Sequence, residues 1–201
     1  METNRTWILA SASPRRKGLL ATIIDNFEII PSQGEETTEE QDPKSVVKAL
    51  AYQKAEEVFA RPIAEGKIVL GADTVVALDG NILGKPKDKV EAFAMLSALS
   101  GRTHEVYTGV CILFSAHGKT VRLCDADCTK VEFYRLEKSF IDEYIAGGSP
   151  MDKAGAYGIQ DGGIARSIEG SYSNVVGLPV ELCKKMIDEV KTIIAQAHSE
   201  K

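Results

Sequence analysis

No run of apolar residues in the 201-residue chain approaches the roughly 20 that a membrane-crossing helix needs. The opening Met1-Glu2-Thr3-Asn4-Arg5 also lacks a basic segment leading into a long apolar stretch. A soluble, cytoplasmic protein with no membrane partner is the expectation. Basic residues are in the minority: 24 Lys and Arg stand against 29 Asp and Glu, for a formal charge of -5. That excludes the net basic face of a general nucleic-acid binder and leaves room for a small anionic ligand. Histidine is scarce and scattered, at His104, His117 and His198, so neither a His-based metal site nor a Ser/His/Asp triad is signalled. The four cysteines, Cys111, Cys124, Cys128 and Cys183, are expected as reduced thiols, because a chain this long with an ordinary core needs no staple. Cys124 and Cys128 lie inside one expected strand and lack the paired Cys-x-x-Cys knuckles of structural zinc. Repeats, low-complexity tracts and linkers are missing too, so residues 1–201 read as one domain, and 44% hydrophobic residues suffice for a real core.

What is present is a regular succession of strands and capped helices. Trp7-Ile8-Leu9-Ala10 reads as a short buried strand, and Ser13 then caps a helix that Pro14 opens. Phe27 to Ile30 reads as a second strand, the polar stretch Pro31 to Gln41 as a loop, and Asp42-Pro43 repeats the cap-and-proline signal. Val46, Val47, Leu50, Ala51, Ala55, Val58 and Phe59 follow at helical spacing. Lys67 to Leu78 is a β-rich run interrupted by one carboxylate, Asp73, and it ends in a tight turn at Asp79-Gly80-Asn81. Asp88 and Glu91 form a capping box for a helix that Gly101 terminates. Two long strands, about Glu105 to Phe114 and Lys119 to Phe133, meet at His117-Gly118. A helix from about Glu137, a Gly-rich stretch from Gly147 to Gly177 holding a short strand near Ile164 to Ile168, and a final helix from near Pro179 complete the chain.

Chemistry concentrates in a few places. Ser11 to Arg16 joins a strand end, small residues, a helix start and two guanidiniums, the parts of a phosphate site; an ordinary turn with solvated arginines accounts for the same residues. Glu36, Lys54 and Lys85 stand at element ends, and each alone is explained by a solvated loop, helix face or turn. Asp73 is different, since a carboxylate in an apolar strand is costly unless a metal, a cation or hydrogen bonds hold it. Together, two acids and several cations form a constellation for metal-assisted attack on a polyphosphate. His104, at a strand start, reads as a structural hydrogen-bonding residue, and the apolar stripe of the last helix as core or a dimer face. Tyr107, Tyr157 and Tyr172 read as packing residues.

The chain resembles the Maf or Maf-like nucleoside triphosphate pyrophosphatases. The resemblance is carried by Leu9-Ala10-Ser11-Ala12-Ser13-Pro14-Arg15-Arg16, Glu35-Glu36-Thr37, Lys54-Ala55, Gly71-Ala72-Asp73-Thr74-Val75-Val76 and Leu83-Gly84-Lys85-Pro86. It continues through Leu99-Ser100-Gly101-Arg102-Thr103-His104, Asp152-Lys153-Ala154-Gly155-Ala156-Tyr157-Gly158-Ile159-Gln160 and Gly170 to Pro179, all in family order. The resemblance implies an α/β fold of one domain, with a bent mixed sheet flanked by helices and two lobes around a nucleotide cleft, as in ITPase-like proteins. It implies metal-dependent hydrolysis of the bond between α- and β-phosphates. By motif position Asp73 is the proton acceptor, Glu36 and Asp73 hold Mg²⁺ or Mn²⁺, and Ser11, Arg16, Lys54 and Lys85 hold the triphosphate. Arg15, Thr74 and Gln160 match positions tied to dTTP and UTP specificity, and the Gln160 amide offers the donor and acceptor that a uracil or thymine edge needs. Gln33 departs from relatives that often carry an acid before the Glu36 segment. The resemblance also suggests a homodimer. The other readings are the same reaction on 7-methyl-GTP or other purines, and a nucleotide-binding cell-division regulator.

Overall fold

All seven strands among the described residues join a single mixed sheet, and the way that sheet is split decides where a ligand can enter. In the computed structural model, which describes residues 5–199, β1 (Trp7–Leu9) leads into α1 (Pro14–Leu20). The residues Met1–Asn4, on which the reading of the chain start rests, lie outside the described residues, as does the His198 side chain. Ser13 caps α1 as expected, its hydroxyl accepting from the Arg16 amide at 3.4 Å. β2 (Phe27–Ile29) and the irregular segment 31–41 precede α2 (Pro43–Phe59), where the Asp42 carboxylate accepts from the Ser45 amide at 2.9 Å. β3 (Ile68–Leu78) turns at Asp79-Gly80 into β4 (Asn81–Leu83). Asp88 caps α3 (Lys89–Leu99) from 2.8 Å, while Glu91 reaches back to the Lys87 amide at 2.7 Å, one residue before the amide that a capping box would use. The long hairpin of β5 (Thr103–Ala116) and β6 (Lys119–Phe133) turns at His117-Gly118. α4 (Lys138–Ala146), short 3-10 turns, β7 (Ala165–Glu169), α5 (Tyr172–Val176) and α6 (Val180–Ser199) follow.

The sheet order is β2-β1-β3-β5-β6-β7, with β1 parallel to both β2 and β3 and every other pair antiparallel. One edge of β3 is shared. β1 pairs with Ile68–Leu70 and β4 with Val76–Leu78, which leaves residues 71–75, Asp73 and Thr74 among them, without a strand on that side. On one face of the sheet two apolar clusters form the lobes. The first gathers Leu70, Ala72, Val110 and Ile112 under α6; the second gathers Val76, Leu78, Val106 and Phe133 with α3 and α4. Between them runs a polar seam: Thr74 and Thr108 hydroxyls lie 3.0 Å apart, Thr108 donates to the Asn174 carbonyl at 2.9 Å, and the Asn174 amide donates to Val106 O and Thr129 Oγ1, each at 2.9 Å.

The opposite face carries α2, and two glycines set how closely it lies. Gly71 and Asp73 face α2 from β3, and Gly109, opposite Asp73 in the register, faces it from β5. A Cβ on Gly71 would stand 2.3 Å from Ala51 O and 2.8 Å from Ala55 N, and one on Gly109 would stand 2.2 Å from Val47 O. Backbone, not a flexible side chain, is what each would strike, so no larger residue fits without lifting the helix.

The expectation of reduced thiols is corrected: Cys111 and Cys124 form a disulfide. They lie equally far from the His117-Gly118 turn and are directly opposed in the β5–β6 register, with Cα atoms 4.1 Å apart, so the hairpin itself brings the sulfurs together. Cys128 and Cys183 are free.

Gly71→Ala is expected to cost at least about 2–3 kcal/mol, the upper part of the overpacking range, because the clash is with main chain. Urea unfolding measures it; a midpoint unchanged from the parent would mean that α2 is not seated as described.

Candidate active site

A cavity of about 400 Å³ opens around the unpaired edge of β3. Every residue to which the resemblance gives a site role lines it: Ser11, Arg15, Arg16, Glu36, Lys54, Asp73, Thr74, Lys85 and Gln160. At its charged end Lys54 reaches from α2 to the β3 carboxylate, with Nζ 2.5 Å from Asp73 Oδ1 and 2.9 Å from Glu36 Oε2. The Lys54 and Asp73 side chains are only 11% and 10% exposed, so the ammonium offsets much of the desolvation that an apolar strand imposes on the carboxylate. Asp73 Oδ2 has no hydrogen-bond partner among the described residues.

Arg16 joins this end to the polar seam. Its guanidinium donates to Gly177 O at 2.9 Å, Ser11 Oγ at 3.2 Å and Thr74 Oγ1 at 3.1 Å. Burial lowers its pKa from the usual value, and the nearby Asp73 and Glu36 charges oppose that. Because Thr108 gives its proton to the Asn174 carbonyl, Thr74 donates to Thr108 and accepts from Arg16. Thr74 therefore orients a guanidinium. Lys85 is exposed at the rim and has no ion-pair partner among the described residues.

The other end is apolar, walled by Val76, Val106, Ile159, Val175 and Val176. Gln160 stands there exposed, its amide without a hydrogen-bond partner among the described residues. A dipolar cavity of this kind suits a ligand that is polyanionic at one end and flat and partly polar at the other.

Asp152, Lys153 and Tyr157 also line the wall, inside a quoted motif that gave them no site role. Asp152 pairs with Arg15 across the cavity mouth and with its neighbour Lys153, both at 3.0 Å. Burial alone would raise the Asp152 carboxyl, but hydrogen bonds from Lys153 and Arg15 hold it below the usual carboxylate range. Tyr157 is buried in the wall behind the apolar end, and its hydroxyl lies 2.8 Å from His104 Nε2. His104 is thus a buried hydrogen-bonding residue, as expected. The residue before Tyr157, Ala156, holds φ at 62°, a left-handed conformation that is costly for a residue other than glycine.

The donor set for a cation is two carboxylates, Glu36 and Asp73, with the Lys54 ammonium between them. Among the described residues no group of three or more His, Cys, Asp or Glu could hold a metal. The pair fits a hard divalent ion that completes its shell from water and substrate oxygens, and does not fit a fully protein-caged one.

Residues 6–190 match the family model of Maf-like proteins. The chain belongs to the Maf-like family. A dTTP/UTP pyrophosphatase of Agathobacter rectalis is 50% identical over 188 residues, covering 86% of this chain and 91% of that one. A dTTP/UTP pyrophosphatase of Thermococcus kodakarensis is 47% identical over 181 residues, covering 89% and 94%. The solved Staphylococcus aureus Ham1 protein shares the fold, with a TM-score of 0.50 over 92% of this chain and 99% of its own at 15% identity. The α/β architecture expected of a Maf-like protein is thereby met.

Burial depresses the His104 pKa to about 4 from 6.5. Above pH 6.5 the ring is neutral in both folded and unfolded chains; below it the unfolded chain takes a proton that the folded one refuses. Its share of stability is therefore lost as pH falls from 6.5 toward 4, by about 3 kcal/mol in all. Unfolding free energies measured across that window should fall less steeply in His104→Gln than in the parent; parallel slopes would contradict a neutral buried ring.

Proposed function

We propose that this Maf-like protein hydrolyses dTTP and UTP between the α- and β-phosphates, releasing the nucleoside monophosphate and pyrophosphate. The observation that carries the reading is the Glu36–Lys54–Asp73 cluster at the charged end of a cavity whose apolar end presents the exposed Gln160 amide. The names of relatives about half identical to this chain support it.

Lys54, Lys85 and Arg16 meet the several negative charges of the triphosphate, and Ser11 adds a hydroxyl. Asp73 Oδ2 takes the proton of a water; the water oxygen bonds to the α-phosphorus as the bond to pyrophosphate breaks, and the leaving group carries away the electron pair. Glu36 and Asp73 would hold Mg²⁺ or Mn²⁺, whose chemistry is to neutralise phosphate charge. Thr74 keeps Arg16 aligned, Arg15 is steadied by Asp152, and Gln160 pairs with the N3–H and a carbonyl of the pyrimidine. A cytoplasmic enzyme that clears unwanted pyrimidine nucleotides would act in this way.

The deciding experiment is product analysis over dTTP, UTP, CTP, GTP, ATP, ITP and 7-methyl-GTP with either metal. Monophosphate and pyrophosphate from dTTP and UTP are expected; turnover confined to 7-methyl-GTP would overturn the specificity, and binding without turnover would favour a regulator. Asp73→Asn should lower kcat by about 10³-fold while nucleotide affinity stays within a few fold, and near-normal turnover would remove Asp73 from its role. Gln160→Ala should shift the ratio of pyrimidine to purine kcat/KM by about tenfold or more. Equal losses across the panel would make Gln160 a structural residue.

A further inference from the structure

Glu36 lies in a segment, 31–41, that has no helix or strand of its own and whose residues 33–37 are exposed. Left unrestrained, such a segment would lose about 1–2 kcal/mol of conformational freedom per residue each time it had to present one carboxylate at one place. Two side chains on α2, one turn apart, tie it down. The Gln53 amide makes a two-point pairing with the peptide of Thr37: Nε2 donates to Thr37 O at 2.5 Å, and Oε1 accepts from Thr37 N at 3.3 Å. Four residues on, Glu57 Oε2 accepts from Gln33 N at 3.1 Å, and Arg61 both grips Glu57 at 2.7 Å and donates to Pro31 O at 3.3 Å. Both anchors grip main chain, so they fix the path of the segment whatever side chains it carries.

From this geometry we propose that Gln53 is a positioning residue for the reaction: it fixes the backbone one residue beyond Glu36, so that the Glu36 carboxylate faces Lys54 and Asp73 before any ligand arrives. Gln53 and Lys54 are neighbours on α2, as are Thr37 and Glu36 on the segment, so one pair of backbone neighbours is docked onto another. The part that concerns the metal rests on the functional reading above; the docking itself does not.

The test is Gln53→Met, which keeps the length of the side chain and removes both hydrogen bonds, with Gln53→Ala as second variant. In the metal-free, nucleotide-free protein, amide exchange over residues 33–38 should accelerate about tenfold while the sheet amides keep their protection. The Mn²⁺ concentration giving half-maximal UTP hydrolysis should rise about tenfold, with kcat at saturating metal within about threefold of the parent. A merely structural residue would not move the metal dependence alone. Unchanged exchange in both variants overturns the clamp, whatever the parent hydrolyses, and faster exchange with an unmoved metal dependence overturns its role in the reaction. A parent that hydrolyses no nucleotide overturns the functional reading instead.

Discussion

The Lys54 ammonium between the carboxylates of Asp73 and Glu36 is the interaction around which the rest of the molecule is arranged. A carboxylate in the middle of a buried strand is unfavourable on its own, and removing one partner from such a pair leaves a charge stranded in a poorly hydrated place. For the ammonium to arrive, α2 has to lie on the sheet more closely than ordinary side chains allow. Gly71 and Gly109 remove the Cβ atoms that would hold it off, and Ala51 and Ala55 limit the helix side to a single methyl each. The site is therefore a consequence of packing as much as of charge.

The second constraint is the seam of Thr74, Thr108, Thr129 and Asn174. A buried polar row is tolerated only when it is hydrogen-bonded, and this one is bonded along its length, with Asn174 Oδ1 the atom left over. By interrupting the apolar face it makes two cores out of one and leaves a cleft where they part. Arg16 ends the seam at the cavity. The same guanidinium thus closes a structural network and borders the cavity.

Much of this was legible in the sequence, because helix starts and tight turns are local signals. Ser13-Pro14, Asp42-Pro43, Asp88, Asp79-Gly80 and His117-Gly118 all sit where their chemistry puts them. Asp73 was conspicuous because it broke an apolar run. What escaped depends on contacts between distant positions. The Cys111–Cys124 disulfide follows from the hairpin turn once the register is laid out, but the spacing alone resembles no motif. Asp152 shows its use only when Arg15, far away in the chain, folds against it, and Gln53 looks like one more solvated helix residue until segment 31–41 docks there. Gly71 stands within a recognisable motif, yet the reason for glycine, the carbonyl of Ala51, becomes visible only in three dimensions.

The central claim is that the Glu36–Lys54–Asp73 cluster is where a triphosphate is cut. The most direct measurement is a crystal structure with Mn²⁺ and a UTP analogue carrying a nitrogen bridge between the α- and β-phosphorus atoms. The expected result is a manganese anomalous peak beside the Glu36 and Asp73 carboxylates, the α-phosphorus next to Asp73, and the uracil against Gln160. A metal bound elsewhere, or the base at the charged end with the phosphates toward Val106 and Val176, would contradict the account.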